Sequence, residues 1–213
     1  QIPIENPYRS GDLIAPESEV NNVFLDYGEL KRMYKLISKV EDKSTEFRVL
    51  LMYLFSCTVG LRISDVLAVK WGNLDVDRDP MILNIVTLKQ GKTLNVPIFP
   101  LAEEVLQYAP EGDLNNVERD KLIFHTYSRA TINTTLRELA KRAGIDKRIS
   151  FHSARRTFAT LAKMQGVSDF ALKNYMGHSN YQMTERYTKW SPSMAESSAR
   201  KHRLFEIKEL LRK

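Results

Sequence analysis

Cysteine is all but missing from this sequence: Cys57 is the single one in 213 residues. One thiol closes no internal disulfide and supplies no cysteine-rich metal site, which points to a reducing compartment, so a cytoplasmic location is expected. Long apolar runs are missing as well. The longest, "VLLMYLF" over residues 49–55, falls far short of the roughly 20 residues that span a bilayer, and no stretch reads as a targeting segment. Neither an internal repeat nor a low-complexity tract is present. Acidic residues are in deficit: 26 Asp and Glu against 32 Lys and Arg leave a net charge of +6. That balance attracts polyanions, with nucleic acid as one reading and a solvated basic surface as the other. What remains, 43% hydrophobic and 27% charged residues, is ordinary for a globular chain able to bury a full core.

The chain starts at Gln1 rather than Met, and "QIPIENPYRSGDLIAPESEVNNVF" carries the Pro and Asn of a connecting segment. Residues 1–25 are therefore expected to be an interdomain linker in a longer protein. From Asp26 the pattern changes. "DYGELKRMYKLISKV" spaces Leu30, Met33, Tyr34, Ile37 and Val40 on one helical face, with Asp26 and Glu29 placed as a capping pair. A second helix, about 45–58, is apolar nearly all round and so belongs at the centre of the core. "VGLRISDVLAVKW" breaks at Gly60 and restarts as a short helix with Arg62 at the junction. Residues 73–98 turn β-branched, with turn signals at "DRDP" and "KQGK", and read as a three-stranded antiparallel meander with Lys89 where the last hairpin turns. Further helices are expected at about 101–108, at 128–143 between the cap Ser128 and Gly144, at 153–164 before Gly166, and on either side of Gly177. The fold class is α+β, mainly helical, with a small three-stranded antiparallel sheet.

Four stretches put polar, phosphate-competent side chains at helix ends or turn tips: "GLRISD", "LKQGK", "FHSARRTFAT" and "MGHSNYQMTERY". In a helix beginning near His152, His152 and Arg155 share a face at its positive end. Arg62, Lys89, His152, Arg155 and His178 can together cradle one phosphate. Arginine suits that task because its planar fork donates two parallel hydrogen bonds and keeps its charge. No serine-nucleophile motif accompanies the cradle, nor a carboxylate cluster for two metal ions. Tyr187 is left as the nucleophile, since a phenol of pKa about 10 is activated in a positive pocket.

In order, spacing and context this set resembles the catalytic domain of the tyrosine recombinases, the phage and mobile-element integrase group. "TVGLRISDVLAVKW" is similar to the family's first-arginine motif, with Arg62 catalytic and Asp65 at the adjoining acidic position, expected to hold the arginine side of the pocket. "TLKQGKTLNVPI" resembles the hairpin that carries the catalytic lysine, which falls on Lys89. "FHSARRTFATLA" is similar to the His-x-x-Arg box, giving His152 and Arg155, and "MGHSNYQMTERY" to the terminal box, giving His178 and Tyr187. Arg156 departs from the pattern, since many members carry histidine there, and a changed contact, either to the residues that support the catalytic set or to DNA, is expected rather than lost activity. The resemblance covers about residues 26–195, the catalytic domain. It implies cleavage of double-stranded DNA at a specific site through a 3′-phosphotyrosine, with no metal or nucleotide cofactor. It also implies dimers and tetramers on DNA, no membrane, a nucleoid-associated bacterial or mobile-element context, and an N-terminal DNA-clamping domain outside this sequence. The amphipathic tail, 196–213, is expected to exchange between protomers, so that its deletion disturbs assembly more than folding.

Alternatives stand beside these assignments. Lys92 shares the turn of Lys89 and is a DNA-contact candidate. Ser128, Arg129, Thr131 and Asn133 are candidates for the major groove, or simply the capped start of a surface helix. Tyr181 rivals Tyr187 but lies only three residues past His178, which suits packing. A zinc reading of His125, His152 and His178 finds no compact ligand spacing. Two other functions remain open: DNA relaxation of the type IB topoisomerase kind, and a catalytically silent DNA-binding module.

Overall fold

The structure, a computed structural model, describes residues 23–109, 118–177 and Phe205. The meander and the helices expected up to Gly177 are present, while the helix expected beyond Gly177, the amphipathic tail helix and residues 1–22 of the expected linker lie outside the described residues. The helices are α1 (Tyr27–Tyr34), α2 (Thr45–Val59), α3 (Ile63–Val66), α4 (Pro100–Gln107), α5 (Arg129–Arg142), α6 (Phe151–Met164) and α7 (Asp169–Met176). The strands are β1 (Leu74–Asp75), β2 (Ile82–Val86) and β3 (Thr93–Pro97).

Helix α2 is the axis of the domain. Its N-terminus is capped by Ser44, whose Oγ accepts from the Phe47 N–H at 3.1 Å, and every residue from Val49 to Val59 is buried. It packs most extensively on α6, then on α4 and α5, which is why it carries no polar face. Gly60 ends it at φ 69°. A Cβ there would stand 2.4 Å from the Phe158 ring, so both the left-handed conformation and the packing require glycine.

Asp26 and Glu29 form the reciprocal cap that starts α1, at 2.8 and 2.9 Å. The single helix expected through Val40 is instead α1 followed by a 3₁₀ turn, Ile37–Lys39; the tighter turn keeps Leu36, Ile37 and Val40 buried. The sheet runs in the order β1-β2-β3, antiparallel, pairing Leu83 with Val96 and Ile85 with Leu94. These four side chains alternate onto one buried face, and α7 packs on β3. Among the described residues no helix is long and apolar enough to cross a membrane.

Within the tail expected to exchange between protomers, Phe205 is the one described residue, and it is fully buried in the core. Its ring lies 6.0 Å from that of Phe158, nearly parallel at 16°, and 5.8 Å from that of Phe99. Helical spacing shows that a residue has an apolar side; it does not show which surface that side meets.

Candidate active site

Arg155 is the member of the candidate cradle that two backbone carbonyls hold in place. It projects from α6 and is 5% exposed. Nη1 donates to the Gly60 carbonyl at 2.7 Å and Nη2 to the Met176 carbonyl at 2.6 Å. Both acceptors lie at helix C-termini, of α2 and α7, where the backbone carries partial negative charge, so the cation is held and oriented by two helix ends. Two of the five guanidinium N–H donors are thereby committed. Burial, followed by the nearby Arg62 cation, lowers its pKa to about 10, against an opposing pull from Asp65. It remains charged at neutral pH.

Arg62 precedes α3, half-buried, and its Nη1 is buried without a hydrogen-bond partner among the described residues. Its position follows from Gly60, which ends α2 and lets the chain restart two residues later. His152 is the second residue of α6, on the exposed side. Partial burial, then the cations of Arg156, Arg155 and Arg62, hold its pKa below the ordinary histidine value. At neutral pH its imidazole is therefore uncharged, with one N–H to donate and one lone pair to accept. The same electrostatic influences put Arg62, Arg155, Arg156, His152 and Asp65 in one neighbourhood.

The start of α6 falls at Phe151, two residues before the expected boundary, because its cap is borrowed. Ser150 makes no side-chain cap bond. Instead Asn133 of α5 accepts from the Phe151 N–H at 2.9 Å. Asn133 was a major-groove candidate, and its Oδ1 is engaged in starting the helix that carries His152 and Arg155. Of its companions, Ser128 caps α5 by accepting from the Thr131 N–H at 3.1 Å, with Ser128, Arg129 and Thr131 all exposed.

Lys89 lies exposed at the tip of the β2–β3 hairpin, with Gly91 beside it at φ 61°. Lys92, at the base of the same turn, is half-buried and its backbone pairs with Thr87. The hairpin is tied to the arginine side through Asp65, which is 3% exposed. Its Oδ1 accepts from the Leu88 N–H at 3.0 Å, one residue before Lys89. Asp65 thus serves the lysine side of the pocket as well as influencing Arg155.

His178, Tyr181 and Tyr187 lie outside the described residues. Gly177, which leads into His178, takes φ 64° as the cap of α7, and a Cβ on it would meet Leu94 at 2.9 Å. Its neighbour Met176 is the residue whose carbonyl holds Arg155. No group of three or more His, Cys, Asp or Glu able to hold a metal ion occurs among the described residues.

Several contributors escaped the sequence reading: Asn133 as a borrowed cap, the Gly60 and Met176 carbonyls, and Thr87. Only Thr87 left a local signal, a β-branched hydroxyl at the last position before a turn.

Comparison with known proteins bears on the family and the fold. The sequence model described as the phage integrase family matches residues 24–194. Tyrosine recombinase XerA of Thermococcus kodakarensis is 26% identical over 182 residues, covering 84% of this chain and 62% of that protein. Tyrosine recombinase XerC of Bacillus pumilus is 26% identical over 199 residues, covering 88% and 63%. The chain thus spans less than two thirds of the length of these relatives. Among solved structures, the XerA recombinase superposes with a TM-score of 0.58 at 24% identity, covering 92% of this chain and 71% of that one. The XerH recombinase in its pre-cleavage complex with difH superposes at 0.61 and 19% identity, covering 83% and 53%. A lambda integrase dimer bound to a core site gives 0.58 and 19%, covering 85% and 66%. The fold is therefore that of a tyrosine recombinase catalytic domain.

Proposed function

The chain belongs to the phage integrase family, and on that premise we propose that it is the catalytic part of a site-specific DNA recombinase that works through Tyr187. The observation that carries this reading is the convergence of Arg62, Arg155 and His152 on one neighbourhood, with Arg155 locked between two helix ends. Two guanidinium groups close enough for one to lower the pKa of the other suit an anion, because a phosphate bound between them would offset their mutual repulsion.

In the proposed reaction the Tyr187 Oη attacks a DNA phosphorus, the bond from phosphorus to the 5′-oxygen breaks, and a 3′-phosphotyrosine forms. The phenol proton passes to the neutral imidazole of His152. Lys89 gives an ammonium proton to the departing 5′-oxygen and is left as an amine. Arg62 and Arg155 stabilise the charge developing on the non-bridging oxygens, with His178 adding a donor. Religation runs the same steps in reverse, so neither metal nor ATP is consumed.

Ser128, Arg129 and Thr131 at the exposed start of α5, with Lys92 and Arg156, are the DNA contacts of this reading, with phosphates supplying most of the affinity. The substrate is double-stranded DNA carrying a specific site, and the working form is a dimer per site and a tetramer in synapsis. With Phe205 in its own core, the part of the tail offered to a neighbouring protomer is residues 206–213, which include Ile207, Leu210 and Leu211.

The test is trapping on nicked duplexes built around a site selected from random DNA. A covalent protein–DNA adduct that is lost in Tyr187→Phe and kept in Tyr181→Phe is the expected result. Adduct formation unaffected by Tyr187→Phe would overturn the assignment.

A further inference from the structure

The β2–β3 ladder closes in an irregular way. Its last regular pair is Val86 with Thr93, so Thr87 and Lys92 would come next and exchange two backbone hydrogen bonds. Only one of these is made: the Thr87 N–H donates to the Lys92 carbonyl at 2.8 Å. The return bond goes elsewhere, with the Lys92 N–H donating to the Thr87 side-chain Oγ1 at 3.1 Å. That substitution releases the Thr87 carbonyl, which accepts from the Gly91 N–H at 2.8 Å and so closes a tight turn over Leu88, Lys89 and Gln90. Thr87 itself is 1% exposed. Its hydroxyl stands in for a ladder carbonyl, and its carbonyl is spent on the turn that carries Lys89.

The turn is fixed at a second point. The Leu88 N–H donates to Asp65 at 3.0 Å, and the Asp65 N–H donates to the Arg62 carbonyl at 3.0 Å. A short path of hydrogen bonds therefore runs from the backbone beside Lys89 to the arginine side of the pocket. A lysine on an open hairpin tip samples many rotamers on a moving base, whereas a general acid has to be held within reach of one oxygen.

We propose that Thr87 is a positioning residue for Lys89: by replacing the ladder acceptor with its hydroxyl, it shapes the turn that brings the Lys89 ammonium to the leaving 5′-oxygen. The proposal rests on the reading of Lys89 as the general acid given above. It concerns the geometry of proton delivery, and Thr87 itself touches neither DNA nor the reacting atoms.

The experiment measures single-turnover cleavage by the protein of two nicked duplexes. One has the ordinary bridging 5′-oxygen at the scissile phosphate and the other has sulfur there. A thiol has a pKa of about 8.5, so its thiolate leaves without help from an acid. Lys89→Ala calibrates the assay: it is expected to be slower by about 10²–10⁴-fold on the oxygen substrate and to approach the wild-type rate on sulfur. Thr87→Val keeps the shape and removes the hydroxyl. It is expected to cleave the oxygen substrate about 10–100-fold more slowly, a part of the full general-acid effect, and the sulfur substrate at about the wild-type rate. Thr87→Ser restores the acceptor and should recover the oxygen rate. Equal slowing of Thr87→Val on both substrates overturns the proposal, since a merely structural defect ignores the leaving group; so does an unchanged rate on oxygen. A Lys89→Ala defect that sulfur does not repair overturns the general-acid reading itself, and the proposal with it.

Discussion

Replacing Phe205 by alanine separates two accounts of the tail. In the structure this ring is fully buried, stacked on Phe158 and inclined to Phe99. Burying about 150–200 Å² of aromatic surface at about 25 cal/mol per Å² contributes roughly 4–5 kcal/mol, of which an alanine side chain retains a small part. The cavity left beside Phe99 and Phe158 adds to the loss, and the conformational entropy regained by the released tail reduces it. A net destabilisation of about 3–5 kcal/mol is expected, as for other buried phenylalanines. For a domain of this size each kcal/mol moves the midpoint by roughly 2–4 °C, so the shift should be about 6–20 °C. Urea denaturation and thermal melting of wild type and Phe205→Ala, each at two protein concentrations a hundredfold apart, measure it. A loss below about 1 kcal/mol would refute the reasoning, because a core phenylalanine does not vanish that cheaply. So would a defect that appears only at the higher concentration, which is the behaviour of a side chain docked on a second protomer. On the same argument, deletion of 196–213 destabilises the fold as well as disturbing assembly.

Arg155→Ala strips two buried carbonyls, those of Gly60 and Met176, of their donor; a stability loss of about 1–3 kcal/mol and a cleavage defect of about 10²–10³-fold are expected in melting and single-turnover assays. A variant of full stability and full activity would remove Arg155 from the site. Arg62→Ala takes away one of the cations that depress His152, so an NMR titration should show the His152 pKa rising; a fall would contradict the electrostatic neighbourhood described. The sign for stability follows: a histidine whose folded pKa lies below its unfolded value binds fewer protons when folded, so its contribution is undiminished above the ordinary value and is lost as pH falls toward the folded one. Cleavage that relies on the neutral imidazole should decline in the same direction. Asn133→Ala should cost about 1 kcal/mol in urea denaturation through the lost cap of α6, and Asn133→Asp, which keeps an acceptor there, should cost less; equal losses would mean that the bond does not matter.

Much of the fold was legible because its signals are local. The Asp26–Glu29 cap, the Ser128 cap, the left-handed Gly60, Gly144 and Gly177, and the apolar α2 each depend on residues within about a turn of one another. The boundary that slipped, at the start of α6, did so because its cap comes from Asn133 on another helix. Asp65 divides in the same way: its proximity to Arg62 is visible along the chain, while the bond it accepts from the Leu88 N–H crosses from a helix to a hairpin.

By itself the sequence determined the order and identity of the chemical groups: Arg62 after a glycine break, Lys89 at a hairpin tip, His152 and Arg155 one helical turn apart, then His178 and Tyr187. Periodicity and capping act over three or four residues, so they specify elements and the side chains those elements display. Only the tertiary structure decided which backbone carbonyls hold Arg155, whether Asn133 starts a helix or faces solvent, and that Phe205 returns to the core of its own chain. Each of these is a contact between residues far apart in sequence, and its partner is selected by how the helices pack around α2.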